Sequence, residues 1–195
     1  MTDWQEIVLP GGGKLGDLVL LKGNHAKREQ GVCVLEAVVW LAGEEHSDQT
    51  DCACPVIAAF LRVTNDRATD EQRQELRPYI PALVGSKAGR KVTVARGFVA
   101  ADYAVRVFAP LRLEYHGRKE YATLLRGLTP ITDKASAVAA RDAAREVYRR
   151  ASVTAAYAAV YAAVDAAVDA AALKTTLWPL RLELIDAMLA IKEAR

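Results

Sequence analysis

Apolar positions are spaced unevenly along this chain, and the changes in spacing mark out its elements. In "EIVLPGGGKLGDLVLLKGNH" two short apolar runs, Ile7–Leu9 and Leu18–Leu21, flank a glycine cluster, which predicts a short hairpin or an extended arm. "GVCVLEAVVWLAG" follows, apolar on every side of a helical axis, with Gly43 where a helix C-terminus would want it. A helix that is apolar all round belongs in a core. Pro55 then opens "PVIAAFLRVTNDR", since proline is favourable at the first helical position. Thr69 and Gln72 have the spacing of a capping box for "DEQRQELRPYI", and Pro78 and Pro81 should kink or end that helix. "VARGFVAADYAVRVFAPLRLEY" reads as another helix, closed by Pro110, and a short one around Arg118–Arg126 precedes the break at "GLTP".

From Asp133 the pattern changes. Residues 151–172, "ASVTAAYAAVYAAVDAAVDAAA", hold alanine at 12 of 22 positions, and a four-residue repeat places Tyr157, Tyr161, Asp165 and Asp169 in one i, i+4 row. Alanine has the best helix propensity, so one long helix is expected. In "TTLWPLRLELIDAMLAIKEAR", Leu177, Leu180, Leu184, Met188 and Ile191 lie near a heptad seam. Packing within the chain is the first expectation for this seam, and a homodimer interface is the second. The predicted fold class is all-α, or mainly so, with a short N-terminal extended arm or hairpin. Residues 1–130 should form a helical domain, and residues 131–195 a long alanine-rich hairpin with a leucine-rich terminal helix.

Composition narrows the function classes. Of the 195 residues 52% are hydrophobic and 26% charged, a globular balance, and alanine inflates the first figure. A net charge of +2, with basic residues spread out, argues against a nucleic-acid platform or an anionic membrane surface. No apolar run reaches the roughly 18 residues of a membrane helix. The early residues carry acids and no basic region before an apolar core, unlike a signal peptide, and three cysteines suit a reducing compartment. A cytoplasmic protein is expected. "GGGK" lacks the spacing and the following hydroxyl residue of a phosphate-cradling loop.

The candidate chemistry lies between residues 25 and 65. Glu36 is the only charged residue in the twelve positions from Gly31 to Ala42. A carboxylate in such surroundings must reach water, find a partner or be protonated. Cys33 lies three residues earlier on the same face, in the first helical turn, where free amides and the helix dipole favour a thiolate. Cys33 as nucleophile, His25 or His46 as base and Glu36 or Asp48 as orienting acid would make a cysteine-dependent hydrolase or transferase. The loop "GEEHSDQTDCACP" offers His46, Asp48, Cys52 and Cys54 as metal ligands, and zinc is the metal that takes such a set. Its spacing departs from the paired C-x2-C of zinc knuckles. Capping is the simpler reading: Ser47 or Asp48 bonding its own backbone, and Asp51 capping the helix at Pro55. Arg62, Asn65 and Asp66 share a polar helix face and could hold Glu36 or Asp48 in place, which makes His46, Ser47, Asp48, Arg62 and Asn65 candidate ligand-binding residues.

"LLKGNH", "GVCVLEAVVWLAGEEHSD", "CACPVIAAFLRVTND" and "LRPYIPALVG" together resemble an uncharacterised family of small proteins from actinobacteria and their phages and prophages. Its pattern runs KGxH, CxxEAVxxxAGExHSD and CxCP, then an alanine-rich helical tail and a short leucine-rich helix. Thr50-Asp51 departs from it, since the family has a proline before the first loop cysteine. The resemblance implies a phage or mobile-element setting and carries no activity. Two expectations follow: an accessory protein that binds a protein partner or a small ligand, and, as the alternative, the cysteine-dependent or metal-assisted enzyme.

Overall fold

The computed structural model of the chain describes residues 3–150 and 172–192. The fold is all-α. Its helices are α1 (Val34–Ala42), α2 (Pro55–Arg67), α3 (Asp70–Gln74), α4 (Ile80–Leu83), α5 (Arg90–Asp102), α6 (Ala109–Tyr115), α7 (Lys119–Arg126), α8 (Lys134–Arg150) and α9 (Ala172–Ala190). Among the described residues extended backbone pairs only at isolated bridges, Val8 with Lys14 antiparallel and Leu20 with Val32 parallel. The expected hairpin is therefore one bridge closed over Gly11–Gly13. The alanine repeat lies outside the described residues.

The chain divides into two compact units, Met1–Thr93 with Leu189–Arg195, and Val94–Met188. The boundary expected at residue 130 is not where packing changes. Composition shifts there, yet Val147 of α8 joins Leu113, Ala122 and Leu125 of α6 and α7 in one buried cluster.

In the first unit, α1 packs against α2 and α4, and Leu15, Leu20, Leu35, Ile57, Leu61, Leu76, Ile80 and Leu83 are fully buried around it. Gly43 ends α1 in the left-handed region, at φ 73°, and the Glu44 amide turns back to the Val39 carbonyl at 2.9 Å. α2 begins at Pro55 as the sequence predicts. Its C-terminal carbonyls are met by Arg73, 2% exposed, whose guanidinium donates to Asn65 O at 3.0 Å and Ala68 O at 2.9 Å and pairs with Asp70 at 2.6 Å. The Thr69–Gln72 capping box forms on both sides, at 3.1 and 3.2 Å, and α3 stops before the two prolines, which continue as one turn of 3₁₀ helix and α4.

The N-terminal segment is held onto this framework by side chains. The Leu21 amide donates to Val32 O at 2.8 Å on one edge of the extended stretch. On the opposite edge the Gln74 carboxamide takes both backbone groups of Leu20, accepting from its N–H at 2.9 Å and donating to its carbonyl at 3.0 Å. Arg77 donates to Leu18 O at 3.1 Å.

In the second unit α5 runs into a π-helical segment, Tyr103–Phe108, and on into α6. Pro110 was expected to close this helix, but it sits in the first turn of α6 instead. The widened turn explains it: the Ala109 amide bonds five residues back to Ala104 O, which relieves the clash that a proline ring makes four residues back. α9 buries Leu184, Ile185 and Met188 within the chain, so the centre of the terminal seam is intramolecular core, with Arg96 donating to Met188 O at 2.9 Å and Tyr103 to Glu183 at 2.6 Å.

One position limits how closely the arm and α1 can be joined. Gly31 has φ 127°, and a Cβ there would lie 2.3 Å from Leu21 Cδ1 and 3.4 Å from His25 Nε2. Gly31→Ala should cost about 1–3 kcal/mol in urea denaturation. Gly97→Ala, in α5 with nothing within 4 Å of the added carbon, should be neutral or stabilising by up to about 1 kcal/mol.

Candidate functional site

Cys33 and Glu36 bracket the first turn of α1 as a capping box in which a thiol stands where serine or threonine is usual. The Glu36 amide donates to Cys33 Sγ at 3.5 Å, and the Glu36 carboxylate accepts from the Cys33 amide at 2.7 Å. Glu36 is wholly buried. Its carboxylate also accepts from the His25 amide at 2.6 Å and meets His25 Nδ1 at 2.8 Å. One carboxylate therefore gathers the arm, through two groups of His25, and the start of α1. Burial works to raise its pKa, but the Cys33 amide, the His25 imidazole and the His25 amide together outweigh burial and hold Glu36 below the ordinary carboxylate range.

An ionised Glu36 accepts hydrogen bonds and donates none, so His25 carries its proton on Nδ1. In the neutral ring Nε2 then presents a lone pair. It has no hydrogen-bond partner among the described residues, and the His25 side chain keeps 13% exposure. His46 stands alongside. Its Nε2 donates to the His25 carbonyl at 3.0 Å and lies 3.8 Å from Glu36 Oε1, while its Nδ1 is buried with no partner. This arrangement can accept a hydrogen bond, or take a proton, at His25 Nε2.

Asn65, 1% exposed, braces the same turn: its Oδ1 accepts from the Val34 amide at 3.2 Å and its Nδ2 donates to Leu21 O at 3.1 Å. Asp66 accepts from the Gly23 amide at 3.0 Å. Asn65 thus does not bind Glu36 directly but fixes the two segments that do. Arg62 holds Asp48 instead, donating to its carboxylate at 2.9 Å and its carbonyl at 2.8 Å. Ser47 closes a turn by accepting from the Gln49 amide at 3.0 Å.

Three expectations are corrected. The helix N-terminus was to favour a thiolate at Cys33. Burial dominates instead and pushes the thiol up to about 12, with Sγ turned into the cap. His46, Asp48, Cys52 and Cys54 are not gathered as a metal set, and no group of three or more such ligands is found among the described residues. His46 turns to a backbone carbonyl, Asp48 to Arg62 and Cys52 to the Thr50 hydroxyl at 3.0 Å, and Cys54 is buried, its amide donating to Ser86 Oγ at 3.0 Å. Zinc has no fitting donor set there. Asp51 does not cap α2. Lys87 draws its carboxylate outward at 3.0 Å, and Cys54 occupies the cap position.

Two residues of this face escaped the sequence reading. Trp40, one turn beyond Glu36 on α1, has its indole N–H fixed on Pro10 O at 2.8 Å, and the Arg28 guanidinium lies over its ring at 4.5 Å. No spacing rule links these positions. In comparisons with known proteins no family model matches the chain, and neither a curated protein nor a solved structure does.

Glu36→Gln should lower stability at neutral pH by about 2–4 kcal/mol, because buried donors lose a charged acceptor. The wild-type contribution has a definite sign: a carboxyl lowered in the folded state stabilises above its unfolded value, near 4.5, and the effect is lost as the pH falls through the folded value. Urea midpoints between about pH 5 and 3 should fall more steeply for the wild type than for Glu36→Gln. Cys33 should stay unlabelled by a thiol reagent in the native protein at neutral pH and react on unfolding, as mass spectrometry after quenching would show.

Proposed function

We propose that this is an accessory protein that works by binding, and that the face of α1 carrying Glu36 and Trp40 receives a small ligand. The observation behind this reading is the division of labour on that face. Every polar atom of the Glu36 carboxylate is spent on the chain's own backbone and on His25, whereas the His25 ring, held through Nδ1, leaves Nε2 without a partner among the described residues. A site of this kind offers recognition without a reactive centre: Cys33 is capped and protonated, and the loop has no metal set. The setting, a phage or mobile element, rests on the sequence resemblance alone.

A second reading is favoured by the imidazole–carboxylate contact at 2.8 Å. In it, His25 acts as a general base oriented by Glu36 and withdraws a proton at Nε2 from water or a substrate hydroxyl. This replaces the cysteine-dependent and metal-assisted mechanisms as the enzymatic alternative.

The binding reading is tested with His25→Asn. The asparagine amide can still donate to Glu36 but offers nothing where Nε2 stood. A ligand-observed NMR screen of small neutral donors, phenols and amides among them, should yield binders to the wild type that the variant loses, with the melting temperature nearly unchanged. Binders that persist in His25→Asn, or no binders at all, would overturn it.

A further inference from the structure

Arg28 is a half-buried cation. Its guanidinium forms no hydrogen bond or ion pair with any described residue, and its Nε is buried without a partner. Arg62 is paired with Asp48, Arg73 with Asp70, Arg106 with Asp102 and Arg126 with Glu114. Arg28 instead lies on the Trp40 ring, whose own edge is anchored on Pro10 O. Stacking fixes the plane of the guanidinium fork and leaves its two Nη groups unpaired among the described residues, an arrangement suited to bidentate capture of a planar carboxylate or a phosphate.

The neighbouring charges allow it. Glu29 is the acid adjacent in sequence, Lys27 and Lys22 flank the segment, and the carboxylate of Glu36 is buried and saturated by the Cys33 and His25 amides and the His25 ring. Arg28 and His25 are three residues apart, and they reach α1 at Trp40 and Glu36, which are four apart and so about 6 Å from each other on one face. The Arg28 and His25 side chains thus meet residues of α1 that are one helical turn apart.

We propose that Arg28, stacked on Trp40, is the oxyanion-binding arm of this site, and that its ligand is a small molecule pairing a carboxylate or phosphate group with a hydroxyl or N–H that donates to His25 Nε2. The proposal rests on the reading of this face as a ligand site and names the ligand class.

Titrations of the full chain with inorganic phosphate, acetate and glycolate, followed through the Arg28 Nε–H and Trp40 indole N–H signals in ¹H–¹⁵N spectra, test it. Saturable shifts are expected with phosphate or glycolate, at least tenfold weaker in Arg28→Gln and only partly restored in Arg28→Lys, which keeps the charge but loses the fork. Glycolate should bind more tightly than acetate in the wild type and no better than acetate in His25→Asn, because only its hydroxyl reaches Nε2. Saturation by phosphate alone identifies a phosphoryl ligand, and by glycolate alone a carboxylate; either supports the site. Absence of saturable shifts, or equal affinity in Arg28→Gln, overturns it. If neutral donors still bind through His25 in that case, the anion site falls while the binding reading stands; if they do not, both fall.

Discussion

Burying one carboxylate without burying an unpaired charge is the constraint that organises the first unit. Glu36 lies in a helix whose other residues are all apolar, where an ion in isolation would be too costly to keep. Two amides and an imidazole converge on it, and each comes from a segment that must be placed to within a few tenths of an ångström. The arm cannot drift, because His25 contributes both its amide and its ring. The start of α1 cannot fray, because the Cys33 amide is committed. Asn65 and Asp66 then fix Leu21, Gly23 and Val34 from the side of α2, so the requirement spreads from one residue to three segments.

Much of this fold was legible in the sequence wherever a local rule acts alone. Pro55, Gly43 and the Thr69–Gln72 pair each do in the structure what their chemistry dictates, and α1 is buried because nothing on it but Glu36 objects to burial. Pro110 misled because the remedy, a single widened turn, leaves no mark in composition. The shift in composition near residue 130 misled for another reason: alanine content reports helix propensity, whereas a compact unit is defined by which side chains share a core, and Val147 shares one with Leu125.

The candidate site divides in the same way. That Glu36 must have a partner, and that His25 and His46 flank its helix, followed from the chain's order alone. Which group would win at Cys33 did not. A helix N-terminus favours the thiolate and burial opposes it, and only the depth of the residue, 5% exposed, decides for burial. The loop cysteines looked like ligands because spacing is visible in a sequence and direction is not: Cys52 turns to Thr50, and the Cys54 amide reaches Ser86, thirty-two residues away. Arg28 and Trp40 meet through the path of the arm, which no short-range pattern encodes.

The Gln74 carboxamide has a consequence beyond anchoring the arm. A stretch of extended backbone with exposed Val19 and Leu21 beside it is the kind of edge onto which a second chain can add a strand. With both backbone groups of Leu20 taken by a side chain that copies the donor–acceptor pair of a neighbouring peptide unit, that edge is already capped from within. An all-helical protein thereby keeps a short β-like segment without offering it as a template for self-association.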